Sequence, residues 1–156
     1  MKRTRAVAIL IKGDNVLLMF RKKNGNEYFV FPGGGVEKEE TVEQATLREL
    51  KEESTIEATI NKLLYRHIYD NDTEQFFYLC DYIKGEPKLD EDSIENKKML
   101  KGKEFYNPLW VKVEKLKNLL VYPLEIRDLL IEDFKNNFIN SVNISVIKIS
   151  ELRRRI

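Results

Sequence analysis

Three consecutive glycines, preceded by an aromatic run and followed by a capped helix, constrain this chain more than any other feature. Tyr28-Phe29-Val30-Phe31 reads as a strand that stops at Pro32, and Gly33-Gly34-Gly35 then permits a sharp loop and a close backbone approach. Thr41 offers its hydroxyl to the amide of Gln44 while the Gln44 side chain reaches back, so a capping box starts a helix predicted over Val42 to Ser54. Leu47 and Leu50 fall on one side of that helix, and acids fall on another. Glu49, Glu52 and Glu53 are related as i, i+3 and i+4 and project side by side. Two readings follow: a solvated acidic face, costing a few tenths of a kcal/mol per like-charged pair, or a divalent cation between the carboxylates.

The flanking segments read mostly as strands. Ala6 to Ile11 and Val16 to Phe20, separated by Lys12-Gly13-Asp14-Asn15, predict a β-hairpin. Ile56 to Tyr69 and Gln75 to Ile83, with the turn signal Asp70-Asn71-Asp72 between them, predict two long antiparallel strands. The polar stretch Gly85 to Gly102 reads as a long loop, of the kind that is usually functional or mobile. Leu109 to Val113 predicts a short strand. Pro123 opens a helix through about Phe138, with Arg127 a polar exception in its apolar spacing. The expectation is an α/β (α+β) sandwich forming a single domain over residues 1–140. Residues 141–156 are a C-terminal extension, for which a strand, a dimer contact and disorder all stay open.

Charge and cysteine content narrow the function classes. The 27 basic and 26 acidic residues leave a formal charge of +1, so nothing in the balance attracts DNA or an anionic membrane, and a small-molecule partner is expected. The apolar run behind the basic N-terminus is too short for a signal-peptide core, and no segment approaches the roughly 20 apolar residues of a membrane span. Cys80 is the only cysteine and sits in an apolar run, which points to burial and a reducing, cytoplasmic compartment. His67 is the only histidine, so a zinc cluster is disfavoured and His67 is expected to be structural. Carboxylates without such competitors suit Mg²⁺, a hard cation that prefers oxygen ligands.

The spacing around the helix carries a resemblance. Gly34, five residues, Glu40, seven residues, Arg48-Glu49-Leu50, one residue, Glu52-Glu53, one residue, Thr55 and Ile56 resemble the Nudix box of the Nudix hydrolases, with Thr55 where the family has glycine. The resemblance implies an α/β/α sandwich with a mixed sheet and a Mg²⁺-dependent pyrophosphohydrolase, with Mn²⁺ as a substitute. Its substrate would be a small-molecule nucleotide, a nucleoside diphosphate linked to another group. Arg48, Glu49, Glu52 and Glu53 are the implied catalytic residues, and Glu49, Glu52 and Glu53 the metal ligands. Arg48 also lies four residues before Glu52, close enough for an ion pair that orients the carboxylate. Glu40 takes an outer, structural place, and Gly33, Gly34 and Gly35 form the substrate loop.

For the general base, Glu49 or Glu53 ranks first, then Glu95 and Glu91 of the long loop. Arg21, with Lys22 and Lys23, is either a phosphate contact or a solubilising strand end. Tyr28, Phe29, Phe31 and Phe76 to Tyr78 include candidates for stacking on a base, although strand aromatics mostly fill cores. A β-branched residue is poor in the left-handed conformation that ends many helices, so Thr55 predicts an altered helix exit. Thr55 and the basic tail also motivate a second reading, a nucleotide-binding module with little catalysis. An RNA-end processor is a third, weaker one, and a homodimer is left open.

Overall fold

The structure is a computed structural model that describes residues 3–68, 72–102, 104–139 and 145–148. The chain begins with β1 (Arg3–Lys12), β2 (Asn15–Lys23), β3 (Asn26–Val30) and β4 (Gly33–Gly35), followed by α1 (Val42–Ser54). Next come β5 (Glu57–Ile68), β6 (Thr73–Lys84), α2 (Ile94–Leu100) and β7 (Glu104–Lys112), with a 3₁₀ turn over Val113–Asn118. β8 (Val121–Tyr122), α3 (Leu124–Lys135) and β9 (Ser145–Lys148) complete the order. One mixed sheet runs β8-β3-β2-β1-β6-β5-β9, with β4 paired to β1 and β7 to β2.

Alternation along the strands sorts two cores onto opposite faces. Val7, Ile9, Leu18, Phe77 and Leu79 pack with Leu116, Ile126 and Leu130 from the 3₁₀ turn and α3. Ala8, Leu10, Leu17, Tyr78 and Cys80 pack with Leu50 and Ile56, beneath α1. The expected sandwich is therefore present, and Cys80 is buried as its run suggested. No helix among the described residues is long and apolar enough to cross a membrane.

The sheet forks. β1 and β2 pair only beside their turn, at Ile11↔Val16 and Lys12↔Asn15. Beyond that point β1 takes β4 as its antiparallel neighbour, at Val7↔Gly33, while β2 continues with β3 and β7. Between the parted strands the sheet opens into a cavity of ≈ 670 Å³, lined from β1 by Arg5 and Val7 and from β2 by Met19 and Arg21.

Several local expectations need correction. The three glycines form a short strand rather than a loop. A Cβ at Gly33 would stand 2.5 Å from the Ala6 carbonyl oxygen, so β4 lies against β1 only because a side chain is missing there. The stretch from Gly85 to Gly102 is not all loop, because Ser93 accepts from the Asn96 amide at 3.1 Å and caps α2. The strand expected over Leu109 to Val113 begins at Glu104 and ends at Lys112. The last helix stops at Lys135, and Phe138, at φ 56, turns back to pack on Phe134. Asp70 and Asn71 of the expected turn lie outside the described residues. In the C-terminal extension, β9 pairs in parallel with β5 at Tyr65↔Ser145, so the strand alternative holds for residues 145–148.

Candidate active site

α1 forms as its cap dictates. Thr41 accepts from the Gln44 amide at 3.1 Å and its own amide donates to the Gln44 side chain at 2.9 Å. At the far end Thr55 adopts φ 62, ψ 6, and its amide donates to the Lys51 carbonyl at 2.8 Å. The helix exit is therefore left-handed, contrary to the expectation for a threonine. The Thr55 hydroxyl donates to the Glu86 carbonyl at 3.0 Å, while the amides of Lys88 and Asp90 donate to the carbonyls of Ser54 and Glu52 at 3.0 and 3.1 Å. These three bonds fasten residues 86–90 to the end of α1 and deliver α2, with Glu95 in its first turn, to the fork.

Arg48 is the hub beneath the acids. Its guanidinium grips Glu40 with two bonds, of 2.7 and 2.9 Å, and donates to the Gly35 carbonyl at 2.9 Å. It also pairs with Glu49 at 2.9 Å and with Glu52 at 3.3 Å. The expected Arg48 to Glu52 pair is thus present, but Glu40 is the dominant partner. Its hydrogen bonds hold the Arg48 proton more tightly than usual, and the same contact holds the Glu40 carboxyl below its ordinary range.

The three acids do not share one environment. Glu49 packs against Gly34, where a Cβ would come within 2.8 Å of its Oε2. Burial raises its pKa, against the opposing pull of Arg48. Glu53 is only 6% exposed and lines the cavity. Burial pushes its proton affinity well up, repulsion from Glu95 and Glu49 adds to it, and a hydrogen bond from the Gly33 amide opposes it. Glu52 is half exposed and lies with Asp90 and Asp92 along a second cleft. Glu49 feels the charges of both Glu52 and Glu95, and Glu53 those of Glu95 and Glu49, so Glu49 links the exposed Glu52 to the buried Glu53. Among the described residues, no three acids, histidines or cysteines converge as a preformed cage.

Other residues singled out from the sequence separate in the same way. Glu95 borders both the cavity and the second cleft, whereas Glu91 borders neither and its carbonyl accepts from Asn96. Gly33 lines the cavity, while Gly34 and Gly35 serve Glu49 and Arg48. Arg21 lines the cavity and is held by Tyr106 at 3.1 Å and Glu104 at 3.3 Å, between the Tyr28 and Tyr106 rings. Lys22 and Lys23 pair instead with Glu27 and Glu104. Phe31 and Phe77 line the cavity, and Tyr78 lies in the core beneath α1. His67, expected to be merely structural, also lines the cavity, as do Arg5, Gln75 and Arg127. Arg127 had one sequence signal, a cation in an apolar helical spacing; for the others only strand register brings them together.

A model of the NUDIX domain matches residues 1–130 of the chain. The ADP-ribose pyrophosphatase of Methanocaldococcus jannaschii is 37% identical over 101 residues, 58% of this chain and 59% of that protein. A Caenorhabditis elegans protein named for the same family is 28% identical over 64% of this chain, which spans only 32% of its length. The chain thus spans less than two thirds of these relatives. Among solved structures, a NUDIX hydrolase from Nitrosomonas europaea superposes with a TM-score of 0.72 at 15% identity, covering 94% of this chain and 78% of that one. An ADP-ribose pyrophosphatase from Streptococcus suis has a TM-score of 0.63 at 16% identity, covering 95% and 99%.

Proposed function

Because the chain belongs to the NUDIX domain family, we propose that it hydrolyses the diphosphate linkage of a nucleotide derivative, a nucleoside diphosphate joined to another group, with Mg²⁺ or in its place Mn²⁺. The observation that carries this reading is Glu53, a buried carboxylate of raised proton affinity at the cavity wall, with Glu49 and Glu95 as its charged neighbours. Carboxylates gathered beside a cavity can share a cation, and the donor set is all oxygen, which suits Mg²⁺. A hexacoordinate Mg²⁺ commonly takes only one or two protein carboxylates and keeps its waters, so a complete preformed cage is not needed. Glu49 and Glu53 would hold it, with Glu52 joining from the Arg48 side; when bound it would neutralise phosphate oxygens and favour departure of the leaving phosphate.

The chain's own residues supply the rest. Water attacks phosphorus, the anhydride P–O bond breaks, and the proton released by the water passes to a carboxylate while the leaving phosphate keeps the electron pair. Glu53 ranks first for that acceptor role through its place at the cavity wall, and Glu95, which borders both clefts, ranks next. Glu91 drops from the ranking because it borders neither cleft. Arg48 is a positioning residue that holds Glu49 and Glu52 against β4 and Glu40. Arg21, locked by Glu104 and Tyr106, presents a guanidinium to a phosphate oxygen at the cavity wall.

The test is turnover of a panel of nucleotide sugars, dinucleoside polyphosphates and nucleoside triphosphates with Mg²⁺, with ADP-ribose first in line from the relatives' names. Expected is metal-dependent release of phosphate-containing products that falls at least 100-fold in Glu53→Gln. Binding without turnover would favour the nucleotide-binding module instead. Unchanged rates in both Glu52→Gln and Glu53→Gln would sink the hydrolase reading.

A further inference from the structure

Among the described residues, four cationic side chains line the cavity at the fork, and they differ in what already holds them. Arg21 is committed to Tyr106 and Glu104. Arg127 donates to the Leu119 carbonyl at 2.8 Å and pairs with Asp128 at 2.9 Å. Lys98 stands exposed on α2. Arg5 is the fourth. It is half-buried on β1, and its side chain makes no hydrogen bond or ion pair with any described residue.

Strand register accounts for this. Arg5 lies opposite Gly35 of β4, and Val7 opposite Gly33. Residues two apart share one face of a strand, so Arg5 projects with Val7, which also lines the cavity. β4 sets no side chain against it, and a Cβ at Gly35 would meet nothing within 4 Å. One rung along, the Gly33 amide donates to Glu53, so Arg5 and Glu53 reach the cavity from adjacent rungs. The charge of Arg5 is felt at Glu53, yet the two form no ion pair. A guanidinium drawn from water without an acceptor is costly, and an anion arriving beside it removes that cost. Its planar fork of N–H donors matches two oxygens of a phosphoryl group.

We infer that Arg5 is a catalytic residue that holds the phosphoryl group under attack by its non-bridging oxygens, beside the acceptor carboxylate of Glu53. This rests on the proposed hydrolysis and adds to it a residue from outside the Gly34 to Ile56 stretch. Water's oxygen bonds to phosphorus as the anhydride P–O bond breaks, its proton passes to Glu53, and the electron pair leaves with the departing phosphate. Arg5 keeps its own proton throughout. It offsets the negative charge on the transferring group, which acts on the chemical step, and it lets that group approach a carboxylate.

The test has a binding arm and a kinetic arm. In the first, the full chain is titrated calorimetrically with inorganic pyrophosphate and Mg²⁺. Arg5→Gln is expected to weaken binding by about tenfold, the order of one charge-assisted pair, whereas Lys97→Gln, an exposed lysine that lines neither cleft, leaves it unchanged. In the second, Arg5→Gln is expected to lose about 100-fold in kcat with a smaller change in KM. Free guanidinium added to Arg5→Ala restores part of kcat, a response that a merely structural arginine would not give. If Arg5→Gln fails to fold, Arg5→Lys decides, because it keeps the charge and loses the fork; an intermediate loss in both arms is expected, and none overturns the inference. A wild type that binds no pyrophosphate overturns it too, as does a folded Arg5→Gln that binds pyrophosphate and turns over like the wild type. Hydrolysis that survives Arg5→Gln removes Arg5 from the mechanism and leaves the hydrolase. Absence of all hydrolysis removes the hydrolase reading, and with it the catalytic role of Arg5, while the binding arm still reads the anion site.

Discussion

Replacing each of the three glycines by alanine separates three roles within three residues. At Gly34 a Cβ would lie 2.5 Å from Glu49 Cδ and 2.8 Å from Oε2. Ordinary carbon contacts begin near ~3.5 Å, so the carboxylate must retreat by about 1 Å. Glu49 is also tied to Arg48 at 2.9 Å, and the retreat pulls on that pair. A displacement of about 1 Å at a reacting centre costs roughly 100-fold in rate. Gly34→Ala is therefore expected to lose about two orders of magnitude in kcat/KM with a small change in Tm. Gly33→Ala meets backbone instead, the Ala6 carbonyl oxygen at 2.5 Å and Val7 Cα at 2.9 Å. Backbone cannot swing aside, so overpacking of about 1 to 3 kcal/mol appears as lost stability. Each kcal/mol lowers Tm by roughly 2 to 4 °C for a domain of this size. Gly35→Ala has nothing within 4 Å and is the control, near wild type in both. Steady-state hydrolysis and thermal melts on the three variants decide the matter. If Gly34→Ala keeps its activity within threefold, or Gly35→Ala is as damaged as Gly34→Ala, the reasoning from Glu49 is refuted.

Glu53 binds its proton more tightly in the folded chain than the ordinary carboxylate value of 4.5 allows, first through burial and then through Glu95 and Glu49. Such a group stabilises the fold below the ordinary value and loses that contribution as pH rises through the folded pKa. Metal-free wild type is thus expected to lose stability relative to Glu53→Gln as pH rises above the ordinary value of 4.5; urea melts that show no pH-dependent difference would contradict it. Glu95→Gln is expected to slow turnover less than Glu53→Gln does but by more than about tenfold, and Glu91→Gln by less than about twofold; equal effects of Glu95→Gln and Glu91→Gln would remove the ranking. Thr55→Ala discards the hydroxyl bond to Glu86, worth about 1 kcal/mol, yet keeps the left-handed backbone. Thr55→Gly loses the same bond but relieves a left-handed cost of about 1 to 2 kcal/mol, partly offset by its own chain entropy, so it should melt above Thr55→Ala.

What could be read from the chain alone was whatever depends on near neighbours. The capping box at Thr41 needs only Gln44, so the start of α1 followed from four residues. The Arg48 to Glu52 pair needs only helical spacing, whereas the Glu40 grip needs the chain before the helix to fold back onto it. β4 carries no side chains and hence no periodicity, and α2 buries none of its residues, so neither left an apolar pattern to find. The cavity was hidden for a different reason. Arg5, Gln75 and His67 stand side by side through the register of β1, β6 and β5, and Arg127 of α3 lines the same cavity, so none of them is near another in sequence except across a strand pair.

Thr55 shows how tertiary contacts overrule a sound local argument. A threonine resists the left-handed region because Cβ crowds the backbone, yet the helix ends there at φ 62. A glycine at this place would meet the backbone demand with no hydroxyl to offer. Threonine accepts the strain and donates to Glu86, beside the bonds from Lys88 and Asp90 that hold the segment leading to α2. That segment carries Glu95 to the cavity mouth, within the field of Glu49 and Glu53. The residue that departs from the box glycine is thus coupled to the acid that lies outside the box. A loss of rate in Thr55→Ala that exceeds its loss of stability, and vanishes on a Glu95→Gln background, is the signature of that coupling; additive effects in the double variant would place Thr55 in the fold alone.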